Sequence, residues 1–446
     1  MDFKSIIRDQ AEDMQDREAR ERLIPREDAG PAQEALAHPN ILAVSGVRRS
    51  GKSILAYQLS KGRASGRINF DDERLAGART ADLDRVLQAF YELYGELECV
   101  VLDEVQHVPG WELFASRLRA RMRVIITGSN ATLLGGELAT RLTGRYIDMV
   151  LFPFSFREHL AYASVPAPMD PTTRERAAIV RHLEGHLREG GFPEVRTIGK
   201  GILPRIFGDI VSRDVVDRYG VRRDESLRAL AMYLVENAAT EVTVRRLVDS
   251  LGLKNEHTVA KWMSHLREAF LLLEVERFSY KMRERHLAPR KVFCIDNGMV
   301  SAVSTGFSTD TGRLMENLVA VELKRRSSRE WGSGVFYWKD HQQNEVDFIV
   351  KRGRTIGQLI QVTYASDGRD VRERELRAIL KASAALRCRD LLVITWNLEE
   401  ARTVEGRKVA FVPLWRWLLG ATGGRPRGGQ GRHQRPSVDG WIKDHL

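Results

Sequence analysis

The chain has 446 residues, 43% hydrophobic and 29% charged, a balance ordinary for a globular protein, and single cores stop growing at about 250–300 residues, so several domains are expected. No apolar run of about 18 residues occurs, which excludes a membrane-spanning helix and argues against a membrane partner. The formal net charge of +10, with arginine well ahead of lysine, fits either a polyanionic partner or an arginine-rich composition.

The first stretch, MDFKSIIRDQAEDMQDREARERL, is charged throughout and lacks the apolar core of a signal peptide. Cys99, Cys294 and Cys388 lie far apart and form no metal-binding spacing. Together these features predict reduced thiols in a cytoplasmic protein.

The apolar run Ile41-Leu42-Ala43-Val44-Ser45 leads into Gly46-Val47-Arg48-Arg49-Ser50-Gly51-Lys52-Ser53, which fits G-x-x-x-x-G-K-[ST], and Ile54-Leu55-Ala56 continues as a helix. Strand, glycine loop and helix in that order predict a phosphate cradle. Gly46 and Gly51 permit the tight path, the loop amides face the phosphates, Lys52 reaches the β- and γ-phosphates of ATP, and Ser53 ligates Mg²⁺.

Arg67-Ile68-Asn69-Phe70, ending in Asp71-Asp72, is a second expected strand. A third, Cys99-Val100-Val101-Leu102, runs into Asp103-Glu104. Asp103 is expected in the Mg²⁺ shell and Glu104 as the base that polarises the attacking water. The strand Arg123-Val124-Ile125-Ile126-Thr127-Gly128 ends in Ser129-Asn130, where the Asn130 amide can sit between γ-phosphate and water. Arg141 and Arg145 follow, either of them solvated, or stabilising transition-state charge in cis or on a neighbouring subunit, with Arg145 the stronger candidate.

Tyr146 to Phe156 reads as a closing strand and a turn around Pro153. Thr172 to Tyr219 is helical and charged, interrupted at Gly190-Gly191-Phe192-Pro193, and the acidic and basic residues of Asp209 to Arg218 read as a salt-bridged helix face.

Val242 to Leu251, a turn at Gly252 and a helix opened by Asn255 have helix-turn-helix spacing. A third helical run to Leu272, then LLLEVERF and RKVFCIDNG, supply a winged-helix body and its wing. Lys254, His257, Thr258 and Lys261 lie on or beside the recognition helix, and Lys281 to His286, with Arg283 and Arg285, form a basic tip suited to DNA phosphates. Such modules also dock proteins.

Farther on, a helix bearing Glu316 precedes Glu345-Val346-Asp347 and, fourteen residues after Asp347, Gln361-Val362-Thr363. The spacing predicts a restriction-endonuclease-like fold, whose third motif is normally E-x-K. Gln361 is a weak Mg²⁺ ligand and Thr363 carries no charge, so Glu316, Glu345, Asp347 and Gln361 read as a vestigial nuclease site. Leu391 to Trp396 is a buried strand, Phe411 to Leu419 a closing helix, and the Gly- and Arg-rich stretch from Gly420 a disordered basic tail.

The loop, INFDDERL, VVLDEVQHVPGWE, ITGSNATLL, LTGRYIDMVLFPFSFREHL and GGFPEV, in that order, resemble the extended-AAA ATPases of archaea and bacteria over about residues 20–415. That resemblance implies an α/β protein with an AAA-type P-loop core joined to a helical lid, a winged helix and a nuclease-like domain. The expected boundaries are an N-terminal helix and core at 1–165, lid at 166–225, winged helix at 226–305, nuclease-like domain at 306–419 and tail at 420–446. The function expected is Mg²⁺-dependent ATP hydrolysis acting on or sensing DNA, as translocase, helicase or remodeller, in a homo-oligomer that includes the hexamer among its options. A nucleotide-driven signalling switch with a protein partner is the alternative, and an ATP-gated nuclease a third.

Overall fold

The computed structural model describes residues 1–131, 144–253, 255–304, 310–330, 332–367 and 373–420. Five short strands, β1 (Ile41–Ser45), β2 (Ser65–Asn69), β3 (Cys99–Asp103), β4 (Arg123–Gly128) and β5 (Tyr146–Val150), form an all-parallel sheet in the order β2-β3-β4-β1-β5. A parallel sheet needs both faces covered, and the sequence supplies two apolar faces at period two. Ile41 and Ala43 point into a core with Phe3, Ile7, Phe90 and Trp111, whereas Leu42 and Val44 point into another with Leu36, Leu55 and Leu151. Parallel pairing brings the C-terminal ends of β1, β3 and β4 to one edge, so the loops that follow them meet there.

Helix Thr173–Glu189 starts with a capping box, Thr172 accepting from the Glu175 amide and Glu175 answering the Thr172 amide. It stops at Gly190, where φ is +74°. A side chain at Gly190 would collide with the Asp296 carboxylate, which also accepts from the Gly191 amide at 2.6 Å. Burial pushes Asp296 up to about 6. Helix Leu203–Asp209 then runs into a π-helical turn, Ile210–Asp217.

Helix Asp224–Glu236, β6 (Thr240–Val242), helices Val244–Ser250 and Glu256–Glu268, β7 (Leu272–Arg277) and β8 (Arg290–Cys294) follow. Asn255 caps the helix Glu256–Glu268, accepting from the His257 and Thr258 amides. One correction concerns the separate third helical run expected up to Leu272: the Asn255-capped helix continues unbroken to Glu268, because Val259, Trp262, Met263 and Leu266 keep one apolar stripe through that length. Between β7 and β8 the chain forms a short helix, Met282–Leu287, in place of an open hairpin tip.

Strands β9 (Ser333–Lys339), β10 (Glu345–Arg352), β11 (Thr355–Val362), β12 (Leu391–Thr395), β13 (Glu400–Val404) and β14 (Arg407–Pro413) complete a nine-stranded sheet in the order β13-β14-β12-β11-β10-β9-β7-β8-β6. β7 pairs in parallel with β9, so the sheet is continuous across residue 305. A second correction falls at the end: Phe411 to Pro413 belong to β14, and the closing helix is only Leu414–Leu418. Among the described residues no helix is long and apolar enough to cross a membrane. The expected tail beyond residue 420 lies outside them.

Candidate functional site

The phosphate loop sits at the C-terminal edge of the parallel sheet, and two of its conformations demand glycine. Gly46 has φ +151°, and a Cβ there would overlap the Leu151 carbonyl oxygen; Gly51 has φ +96° at the start of helix Lys52–Ser60. The Lys52 ammonium is buried and donates to the carbonyls of Gly46 at 3.1 Å and Val47 at 3.2 Å, with Glu104 Oε1 3.6 Å away.

Asp103 ends β3. Its carboxylate accepts from the Thr127 hydroxyl and from Ser53. Burial, then the neighbouring Glu104 carboxylate, holds it above the ordinary carboxylate range. Glu104 adopts a left-handed conformation with φ 49°. That conformation is uncommon for a residue with a Cβ, and such strain clusters at functional positions. Burial pushes its carboxyl up, but Lys52, Gln106 and Arg48 outweigh that and hold it below the usual range. The Ser129 amide, at the tip of β4, donates to Glu104 Oε2 at 3.2 Å. Ser53, Asp103, Glu104 and Asn130 are therefore brought to one edge with the loop. The Ser53 hydroxyl beside the Asp103 carboxylate is an oxygen pair of the kind that Mg²⁺ takes.

A cavity of about 490 Å³ opens here, lined by Lys52, Ser53 and Glu104 and also by Leu23, Tyr162 and Ile198. The volume lies in the range of small-molecule sites.

Three features escape the sequence patterns. Arg26, 6% exposed, donates to Ser50 O at 2.7 Å, Phe152 O at 2.6 Å and Glu158 Oε1 at 2.8 Å, and so staples the loop from outside. Arg48 forks onto Asp214, with Nε 2.9 Å from Oδ2 and Nη2 3.2 Å from Oδ1, while Arg49 reaches Glu194 at 2.6 Å and Asp209 at 2.8 Å. Asp214 also accepts from the Ser129 hydroxyl at 2.8 Å. The acidic face of Asp209 to Arg218 is thus an anchor for the phosphate loop as well as a salt-bridged helix. No local motif carries this, since the partners are more than 140 residues apart.

Arg145 stands apart. It is exposed at the N-terminal end of β5, pairing with Ser116 at 3.2 Å, on the edge of the sheet opposite the loop. It does not meet its own chain's phosphate site. Arg141 and Lys254 lie outside the described residues. His257, Lys261 and Arg283 are exposed and Thr258 is half-buried. Arg285 is instead paired with Glu276 at 3.1 Å and stacked over Phe336. Glu316, Glu345 and Asp347, the last of them buried, do meet around a residue that their spacing did not indicate, Lys291 of β8, and Gln361 joins them through Asp347.

An AAA domain model (AAA_14) matches residues 38–160, followed by two domains of unknown function, DUF8612 at 180–311 and DUF4143 at 311–417. The uncharacterized protein MJ1544 of Methanocaldococcus jannaschii is 31% identical over 401 residues, 85% of this chain and 89% of its own. An uncharacterized protein of Haemophilus influenzae is 31% identical over 335 residues, 71% of this chain and 80% of its own. Among solved structures, the Walker-type ATPase PABY2304 of Pyrococcus abyssi matches with a TM-score of 0.37 and 16% identity, over 64% of this chain and 96% of that one.

Proposed function

Because this chain belongs to the family of the Methanocaldococcus jannaschii protein MJ1544 and holds an AAA domain with a P-loop, we propose that it is a Mg²⁺-dependent ATPase whose nucleotide state is coupled to DNA. The observation that carries the first half is the convergence of Lys52, Ser53 and Glu104 on one cavity, with Asp103 hydrogen-bonded to Ser53.

In this reading the loop amides and Lys52 bind the β- and γ-phosphates, the ammonium leaving the Gly46 and Val47 carbonyls for charged oxygens. Ser53 and Asp103 would hold Mg²⁺, which would supply charge neutralisation at the phosphates. Glu104 orients the attacking water and accepts its proton, while the β4 tip, Ser129 and Asn130, fixes the geometry around the γ-phosphate. The helices at 173–217 act as the lid: Arg48 and Arg49 tie them to the loop, so a phosphate that recruits either guanidinium alters the lid's attachment.

We assign DNA to the unit from Asp224 to Cys294, whose helix, strand, two helices and two strands, with the short helix Met282–Leu287 between those strands, support a winged-helix reading. Lys261, His257 and Arg283 offer exposed positive or polar contacts to phosphate without base readout. A homo-oligomer supplying Arg145 from a neighbour completes the reading. ATP turnover measured with and without duplex, single-stranded and branched DNA tests it; turnover indifferent to all three at ~50 mM salt, with no binding in a gel shift, removes DNA from the proposal.

One observation favours a protein partner instead. Tyr280, Met282 and Leu287, at the same tip, are 75%, 73% and 72% exposed. Three large apolar side chains beside Lys281 and Arg283 suit a protein surface better than a phosphate backbone. A nucleotide-driven switch that docks a protein there is the second reading.

A further inference from the structure

Glu316, Glu345 and Asp347 place three carboxylates around one point in the second sheet, with Gln361 bonded to Asp347 beside them. The nuclease-like resemblance implies Mg²⁺ there, and oxygen donors of this kind are what a hard divalent cation takes. The point is filled by the chain itself. Lys291, 3% exposed, brings its ammonium to 2.9 Å from Glu316, 2.5 Å from Glu345 and 3.4 Å from Asp347. An ammonium at bonding distance from all three carboxylates leaves no room for a metal ion between them, so the residues present do not fit the group that the fold implies.

The supporting contacts point the same way. Asp347 Oδ2 accepts from Gln361 Nε2 at 2.7 Å and from the Val362 amide at 2.9 Å, which turns its other oxygen to Lys291. Gln361 Oε1 is buried without a hydrogen-bond partner among the described residues. Lys339 approaches Glu345 at 3.3 Å and Glu241 at 2.8 Å, adding a second positive charge at the rim. Burial raises the Glu316 carboxyl to about 7 against the pull of Lys291, as expected where one ammonium faces three acids. Lys291 comes from β8, whereas its partners come from helix Thr311–Ser328 and β10, so the contact joins the two halves of the nine-stranded sheet.

We propose that the Lys291 ammonium takes the place of a divalent cation, making this cluster a metal-free ionic clasp between β8 and the nuclease-like elements. Buried like charges need a counter-ion; a covalently attached one is always present and carries no water to activate. The loss of the usual E-x-K charges at Gln361 and Thr363 then removes a catalytic site without leaving three acids uncompensated. The clasp stands on its own geometry and does not depend on the ATP reading.

The test uses nucleotide-free full-length protein, with thermal unfolding and Mn²⁺ titration by electron paramagnetic resonance. A cavity of about 320 Å³ lined by Glu241, Arg246, Lys291 and Glu345 gives a small cation access, so failure to bind is not a matter of entry. Wild type is expected to show the same Tm in EDTA and in millimolar Mn²⁺ or Ca²⁺. Lys291→Met is expected to lose roughly 5 °C or more, to bind about one Mn²⁺ per chain, and to regain most of the loss when it does. Lys291→Met with Asp347→Asn and Glu316→Gln, which neutralises the cluster, is expected to fold without metal even where the single variant does not. Wild type that binds Mn²⁺ through these carboxylates, with binding lost in Asp347→Asn, overturns the proposal. So does a Lys291→Met protein as stable as wild type without metal, or a neutralised variant that fails to fold.

Discussion

The Asn130 side-chain amide donates to the Tyr219 hydroxyl at 3.1 Å, and that hydroxyl donates onward to Glu268 at 2.6 Å. Two hydrogen bonds therefore join the tip of β4, at the edge of the phosphate site, to the last turn of helix Glu256–Glu268. Burial, then the Glu268 carboxylate, pushes the Tyr219 phenol up to about 12, so it stays protonated and able to donate. The ring also stacks on His265 at 3.6 Å between centroids, which fixes its position independently of the hydroxyl. Tyr219→Phe keeps the stack and removes both bonds. Basal ATP turnover is expected to remain within about twofold while DNA stimulation falls about fivefold or more, the size of a modest coupling energy. Unchanged stimulation would show that the connection carries no signal.

Two variants separate binding from turnover in the core. Lys52→Ala is expected to abolish productive ATP binding. Glu104→Gln, which keeps size and hydrogen-bonding atoms, is expected to bind ATP and hydrolyse it at least ~100-fold more slowly. Equilibrium binding of a fluorescent ATP analogue beside single-turnover hydrolysis checks both, and native turnover by the Gln variant would move the base elsewhere.

The Arg48 to Asp214 fork predicts a nucleotide-dependent stability. Asp214 is 1% exposed, and Asp214→Asn leaves Arg48, among the described residues, only Asp71, at 3.5 Å, as an ion-paired carboxylate. Breaking one side of a buried pair costs ~3–5 kcal/mol, and the low end applies because the Arg48 side chain is 15% exposed. The apo variant should melt earlier than wild type. The gap should narrow with ATP, whose phosphates give Arg48 a new partner; a gap that ATP leaves untouched would argue against guanidinium exchange.

Histidines set an acid limit. His159 and His186 are 5% and 2% exposed, and His159 Nε2 lies 3.2 Å from His182 Nδ1. Burial, then Arg196, pulls His159 down to about 3; burial, then His159, holds His186 well below its ordinary range. The unfolded chain protonates these rings near pH 6.5 and the folded one does not, so the stability they permit is complete above that pH and falls as pH drops toward 3. Each such ring contributes a slope of about 1.4 kcal/mol per pH unit. His186→Leu should flatten the dependence of urea midpoints between pH 6.5 and 5, and an unaltered slope would refute neutral burial of this ring.

For the DNA reading, Lys261→Glu and Arg283→Glu are expected to weaken binding to all sequences alike, each reducing the log–log salt slope by about 0.9 if it neutralises one phosphate. Arg285→Glu should also lower Tm, because it places a second carboxylate against Glu276. Filter binding across a salt series, with melting curves alongside, distinguishes the two effects.

Local chemistry made the phosphate loop legible: Gly46 and Gly51 announce the turn, and the apolar runs before the loop and before Asp103 fall on β1 and β3. Capping residues Thr172 and Asn255 likewise placed helix starts. Helix ends were harder, since the polar residues after Trp262 concealed an apolar stripe that continues to Leu266. Phe411 reads equally well in a buried strand or a helix. What the chain concealed was long-range pairing. Arg26, Asp214, Tyr219 and Lys291 are ordinary residues in ordinary contexts, and only the fold reveals that each ends beside a buried partner. Lys291 is the clearest case, in a strand read as apolar wing.

Strands β7 and β9 run in the same direction through Glu276 beside Phe336 and Arg277 beside Tyr337, and the Phe278 amide extends the seam by donating to Tyr337 O at 2.7 Å. A hinge at this position would need a gap in the ladder, and the ladder is continuous. The nine strands are therefore one hydrogen-bonded sheet, and a displacement of helix Glu256–Glu268 is expected to move the sheet with it in preference to flexing at this seam. Between the phosphate site and the segment 173–217 the contacts include side-chain ones, the four hydrogen bonds of Arg48 and Arg49 and the bond from Ser129 to Asp214 among them, and these are where give is expected.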